Sequence, residues 1–99
     1  MSQYLSSQAR VEITRASKYL KQLATHFSHK VDVDMGEDCA TVRLSYGFFE
    51  LHTDGENLLV MKTFTDTQEH RERLEHVASS HLLRFAFRDP PDIIWVPIA

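Results

Sequence analysis

Six of the 99 residues are histidine, and three of them are placed where imidazoles could act together. His26 and His29 stand three apart in a segment with helical periodicity, so both can share one face. His81 lies in a second helical segment, in the middle of its apolar stripe. If the two helices lie side by side, His81 approaches His26. The set His26, His29 and His81 would then suit zinc, iron or nickel. Cys39 could join as a thiolate only if the turn that carries it reaches the same place. A structural account competes with the metal. His81 would be a core histidine bonded to a backbone carbonyl or to Tyr19, and His26 and His29 would serve the last carbonyls and the negative end of a helix. A third use is catalytic, with His26 or His81 as the general base of a small enzyme.

Other chemistry is poorly represented. The three glycines, at 36, 47 and 55, all fall in expected turns, so a glycine-rich nucleotide loop is absent. Asp32, Asp34, Gly36 and Asp38 faintly resemble a calcium loop, but the third loop ligand and the distal bidentate glutamate are missing. Glu37 and Asp38 flank Cys39 and disfavour a thiolate. Ser79-Ser80 lies on a helix and lacks a nucleophile elbow.

The elements that must position the histidines follow from periodicity. Ala9, Val11 and Ile13 alternate with Arg10 and Glu12, which predicts a half-buried strand. Thr14 is a candidate cap for a helix reaching about Lys30. Ala16, Leu20, Leu23 and Phe27 fall within about 60° on its wheel, with Lys18, Lys21 and Thr25 opposite. Val31 to Met35, Ala40 to Ser45 and Phe48 to Thr53 each alternate. Asp54-Gly55 is the strongest hairpin signal. Asn57 to Phe64 carries apolar residues on both faces, as a covered strand does. Asp66 with Glu69 resembles a capping box, opening a helix to about Phe85 with Leu74, Val77, Ala78, His81 and Phe85 on one face. Asp89-Pro90-Pro91 stops it, and Asp92 to Val96 is the expected last strand.

The expected fold class is α+β. A single antiparallel sheet of five or six strands carries two helices on one face. The order strand, helix, four strands, helix, strand is that of TATA-binding-protein-like folds, an order that serves unrelated functions. Residues 1–99 form one domain, with residues 1–7 expected to be a flexible N-terminus.

Arg15-Ala-Ser-Lys-Tyr-Leu-Lys-Gln-Leu23, His26-Phe-Ser-His-Lys30 and His81-Leu-Leu-Arg-Phe-Ala-Phe-Arg88 resemble the signature segments of a small prokaryotic family known only as a domain of unknown function. The resemblance runs from about Ala9 to Trp95. Some relatives are joined to, or encoded near, siderophore-interacting flavin reductases. The resemblance therefore implies a binding or accessory module linked to iron or metal metabolism, with an iron-metabolism protein as a partner. It carries over no catalytic residue.

Charge and composition exclude several classes. Residues 1–30 hold five Lys and Arg against Glu12, while residues 31–70 hold Arg43 and Lys62 against nine acids. With a net charge of −3, this pattern argues against a nucleic-acid binder, and the basic segment reads as a solvated helix face. No apolar run has the length of a membrane helix, and the N-terminus lacks the features of a signal peptide. The single cysteine suits a reducing, cytoplasmic setting. The sheet face away from the helices is expected to carry Phe48, Met61 and Trp95. A patch of that kind would be covered by a second copy in a homodimer, or by a small ligand. A purely structural homodimerisation domain is the remaining alternative.

Overall fold

The computed structural model describes residues 5–98. The order is β1 (Leu5–Glu12), α1 (Ala16–Ser28), β2 (Asp32–Met35), β3 (Cys39–Leu44), β4 (Gly47–Thr53), β5 (Leu58–Thr65), α2 (Gln68–Phe85) and β6 (Val96–Ile98). The strands form one antiparallel sheet in the order β2-β3-β4-β5-β1-β6. Both helices lie on one face, as the paired apolar stripes require. Among the described residues, no helix is long and apolar enough to cross a membrane.

The core is the contact between helix stripes and sheet. Ala16, Leu20, Leu23, Ala24 and Phe27 of α1 are buried, as are Leu74, Ala78 and Leu82 of α2. They meet Ala9, Val11, Ala40, Val42, Phe49, Leu51, Leu59 and Met61 from the sheet. Two buried hydroxyls on the same face, Ser7 and Thr63, hydrogen-bond each other and so satisfy their polar groups inside the core.

Strand β1 begins earlier than expected. Leu5, Ser6 and Ser7, placed by the sequence in a flexible N-terminus, pair with Thr65, Phe64 and Thr63. Residues 1–4, the rest of that expected flexible stretch, lie outside the described residues. Polar serines hide this part of the strand from a hydrophobicity pattern, although Ser7 is fully buried.

Helix starts also differ from expectation. Thr67, one residue after Asp66, caps α2: its hydroxyl accepts a hydrogen bond from the His70 N–H at 3.1 Å. Asp66 binds the His70 ring instead, at 2.7 Å. Helix α1 has no side-chain cap. Arg15 precedes it in a left-handed conformation, with φ 62°, and the Ala16 N–H donates to the Glu56 carbonyl at 2.8 Å.

The last strand is shifted towards the C-terminus. The Trp95 indole N–H donates to Ser79 Oγ of α2 at 2.8 Å, and Ile93 and Trp95 pack against the core. The segment after Pro91 therefore runs along the helix layer. Only Val96–Ile98 reaches the edge of β1, opposite Ser6, Ser7 and Gln8. Pro97 is tolerated there because an edge strand has one neighbour.

These placements correct the expected open face. Met61 pairs with Ala9 and Leu51 and is fully buried under the helices; its neighbour Val60 takes the opposite face. Trp95 is on α2. Of the three residues assigned to that face, only Phe48 is on it, stacked on Phe64 with ring centroids 4.8 Å apart. The apolar run from Leu58 to Met61 has no alternation, so it could not reveal which residue faces which side.

Candidate functional site

The two helices meet where their histidines lie. His26 is on the flank of α1's buried stripe, one residue before Phe27. His81 is on the side of α2 that faces α1, between buried Ala78 and Leu82. The imidazole centroids are 5.0 Å apart and tilted by 44°. Phe27 packs 4.8 Å from the His81 ring and edge-on to Phe49 at 5.3 Å. Phe85 meets the His26 ring edge-on at 5.7 Å. The pair is thus anchored to the core on one side and roofed by an aromatic ring on the other.

Hydrogen bonding fixes one tautomer. His81 Nδ1 lies 2.7 Å from the Val77 carbonyl. A carbonyl only accepts, so Nδ1 carries the proton and, in the neutral ring, Nε2 keeps its lone pair. His26 is different: its Nε2 is buried and has no hydrogen-bond partner. Such an atom costs stability unless something binds it. Burial, followed by the positive charges of His81, Lys30, Arg84 and His29, lowers the His26 pKa below the ordinary 6.5. The surroundings therefore favour the neutral ring.

Beside the pair is a shallow, open groove of about 470 Å³, lined by Lys21, Gln22, Thr25, His26, His29 and Phe85. Lys21, Thr25 and His29 are spaced four apart along α1, so they form one wall. That lining has no carboxylate, and Lys30 and Arg84 add positive charge nearby.

The structure brings together two of the three predicted ligands. His29 is exposed at the end of α1, on the groove rim. Among the described residues, no group of three histidines, cysteines or carboxylates is positioned to hold a metal ion. The three-histidine set is thus reduced to His26 and His81. Cys39 is exposed and pairs with His52. Its parity along β3, opposite to that of buried Ala40 and Val42, places it on the sheet face away from the helices, and it cannot join. The part that Lys21 plays in the groove was missed by the sequence reading, which took it as part of a solvated face. The four-residue spacing of Lys21, Thr25 and His29, beside His26, was the available signal.

Other hollows are chemically plainer. One of about 540 Å³ lies between Glu12, Asp54, Asp89 and the two prolines. Another, of about 570 Å³, flanks the start of α1 near Arg15 and Lys18. Among the described residues, the other buried side-chain atom without a hydrogen-bond partner is Arg71 Nε, which has Glu75 at 3.8 Å.

A solved structure with this fold is the NMR structure of PA4090 from Pseudomonas aeruginosa. It is 21% identical, with a TM-score of 0.80, over 93% of this chain and 95% of that one. At that identity the likeness establishes the fold. Comparison with curated proteins gives no match. A family model, described as an uncharacterized protein conserved in bacteria (DUF2218), matches residues 8–96. With both helices, the four strands β2 to β5 and the paired histidine segments inside that match, the chain belongs to the DUF2218 family of bacterial proteins.

Proposed function

We propose that the chain is a small binding module and that the groove between α1 and α2 takes a small organic anion, a carboxylate or a phosphate ester. The observation that carries this reading is a groove lined by Lys21 and His29 without a carboxylate, beside a His26 ring that also feels the charges of Lys30 and Arg84. Positive groups gathered without counter-charges raise the local concentration of anions. Phe85 supplies an apolar wall for the uncharged part of the ligand. An enzyme using His26 as general base fits less well, because a base must come within hydrogen-bond reach of the proton it removes, and His26 Nε2 is buried.

The test is equilibrium binding of citrate, and separately of inorganic phosphate, to untagged protein in metal-free buffer. Lys21→Glu reverses one charge on the exposed wall without touching the core. The reading expects measurable binding of at least one probe and a loss of about tenfold in the variant, the equivalent of ~1.4 kcal/mol. Equal binding by the wild type and Lys21→Glu contradicts it.

A further inference from the structure

We infer that Asp92–Trp95 is a strap poised to close on the free half of β1, held off by the facing carboxylates of Glu12 and Asp92. Strand β6 runs opposite only Ser6, Ser7 and Gln8. Continuing its register sets Trp95 against Ala9, Ile94 against Arg10, Ile93 against Val11 and Asp92 against Glu12. The side chains already alternate as that register requires. Ile93 and Trp95 pack against the core that holds Ala9 and Val11, while Asp92 and Ile94 are exposed, like Arg10 and Glu12.

Backbone parity agrees. Just beyond β1, the Ile13 N–H donates to the Asn57 carbonyl at 3.0 Å. Val11, Ala9 and Ser7, at alternate positions, therefore turn their N–H and C=O groups towards β5, and Gln8, Arg10 and Glu12 turn theirs to the outer edge. Pro97 sits opposite Ser7, where the ladder needs no N–H from it. Pro91 has the same parity, so the chain from Pro91 to Ile98 could pair along its whole length. Val96 meets the edge at Gln8. Among the described residues, Arg10 and Glu12 have no backbone partner on this side. A hollow of about 360 Å³ lies there instead, lined by Arg10, Glu12, Asp92 and Ile94 with Pro90 and Pro91.

Closure would let Arg10 and Ile94 exchange hydrogen bonds in both directions, and Glu12 and Asp92 do the same. It would also set two carboxylates directly opposite on one face, where like charges disfavour pairing. Arg10 is turned to Asp54 at 3.5 Å, and among the described residues no ion pair engages Glu12 or Asp92. Asp89 lines the adjoining hollow with Glu12 and Asp54. The Trp95 bond to Ser79 anchors the strap at one end, so the movement lies between Pro91 and Trp95. Neutralising either carboxylate closes it.

Backbone hydrogen exchange of the full chain, compared with Asp92→Asn and Glu12→Gln, tests this. All three of Glu12, Asp89 and Asp92 are exposed, so substitution leaves the core intact. In the wild type, the Arg10 and Ile94 amides should be at least about tenfold less protected than that of Gln8. In each variant they should gain at least about tenfold in protection. A nuclear Overhauser contact should also appear between the Hα atoms of Val11 and Ile93, which approach closely only in a paired strand. Asp89→Asn, which has no facing partner on β1, should change protection by less than about twofold. Wild-type protection at Arg10 equal to that at Gln8 would show the strap already closed. Unprotected amides in both variants, or equal closure by Asp89→Asn, would show that the facing pair does not hold it open. Any of these results overturns the proposal.

Discussion

The rings of His26 and His81, from helices separated by four strands in the chain, stand 5.0 Å apart with a shared neighbour in Phe27. This contact joins the hydrophobic core to the cationic groove. Changes at either histidine should therefore register both in stability and in binding.

The lowered His26 pKa predicts a specific pH dependence. His81 and Arg84 face the ring from α2, and Lys30 and His29 act on it from the end of α1. Because folding favours the neutral ring, its contribution to stability is complete above the unfolded value of 6.5. It is lost as pH falls from there through the lower folded value. Denaturant unfolding at about pH 7.5 and about pH 5.5 should show a smaller difference in His26→Gln than in the wild type. An NMR titration placing His26 at or above 6.5 would contradict this.

The register of β5 predicts opposite outcomes at adjacent positions. Met61→Ala opens a cavity under both helices and should cost about 2–5 kcal/mol. Lys62→Ala, on the other face, should stay within about 0.5 kcal/mol. Similar costs at both positions would mean that the strand is turned over.

Much of this fold was legible in the sequence because each alternating or amphipathic segment has one buried side. Ala9 to Ile13, Ala40 to Leu44 and the α1 stripe all pack as their periods require. The errors occur where local pattern is silent. Leu58 to Met61 is apolar on both sides, and Ser6-Ser7 is polar yet in a buried strand. The chain after Pro91 is placed by a tertiary bond from Trp95 to Ser79. At the site, helical spacing and the stripe of α2 were enough to bring His81 to His26. The outward position of His29 and the contribution of Arg84 depend on how the helices are set on the sheet, which no single segment encodes.

The Trp95 bond to Ser79 predicts coupled losses. Trp95→Phe and Ser79→Ala should each cost about 1 kcal/mol. The double variant should cost less than the two added together, because one hydrogen bond is removed in all three. Chemical denaturation of the four proteins measures this. Strict additivity would mean that the segment after Pro91 is not held on α2 by this contact.

Gly47 opens β4 with φ 156°, and a Cβ there would lie 2.5 Å from the Phe64 carbonyl oxygen. Backbone has little room to yield, so Gly47→Ala should destabilise by more than about 1 kcal/mol. Gly55, with φ 82° but open space around it, should lose about 1 kcal/mol or less to alanine, through its conformation alone. Comparable unfolding midpoints for wild type and Gly47→Ala would contradict the tight approach of β4 and β5.

The claim that the α1–α2 groove is the binding site is tested most directly by mapping the surface that responds to an anion. Amide and side-chain spectra of metal-free, untagged protein should be recorded while citrate, and in a second sample phosphate, is added. The account predicts that the responses concentrate at Lys21, Thr25, His26, His29 and Phe85, with Cys39, His52 and the start of α1 near Arg15 unmoved. Responses centred on Arg15 and Lys18, or spread evenly over the basic residues of the surface, would contradict it.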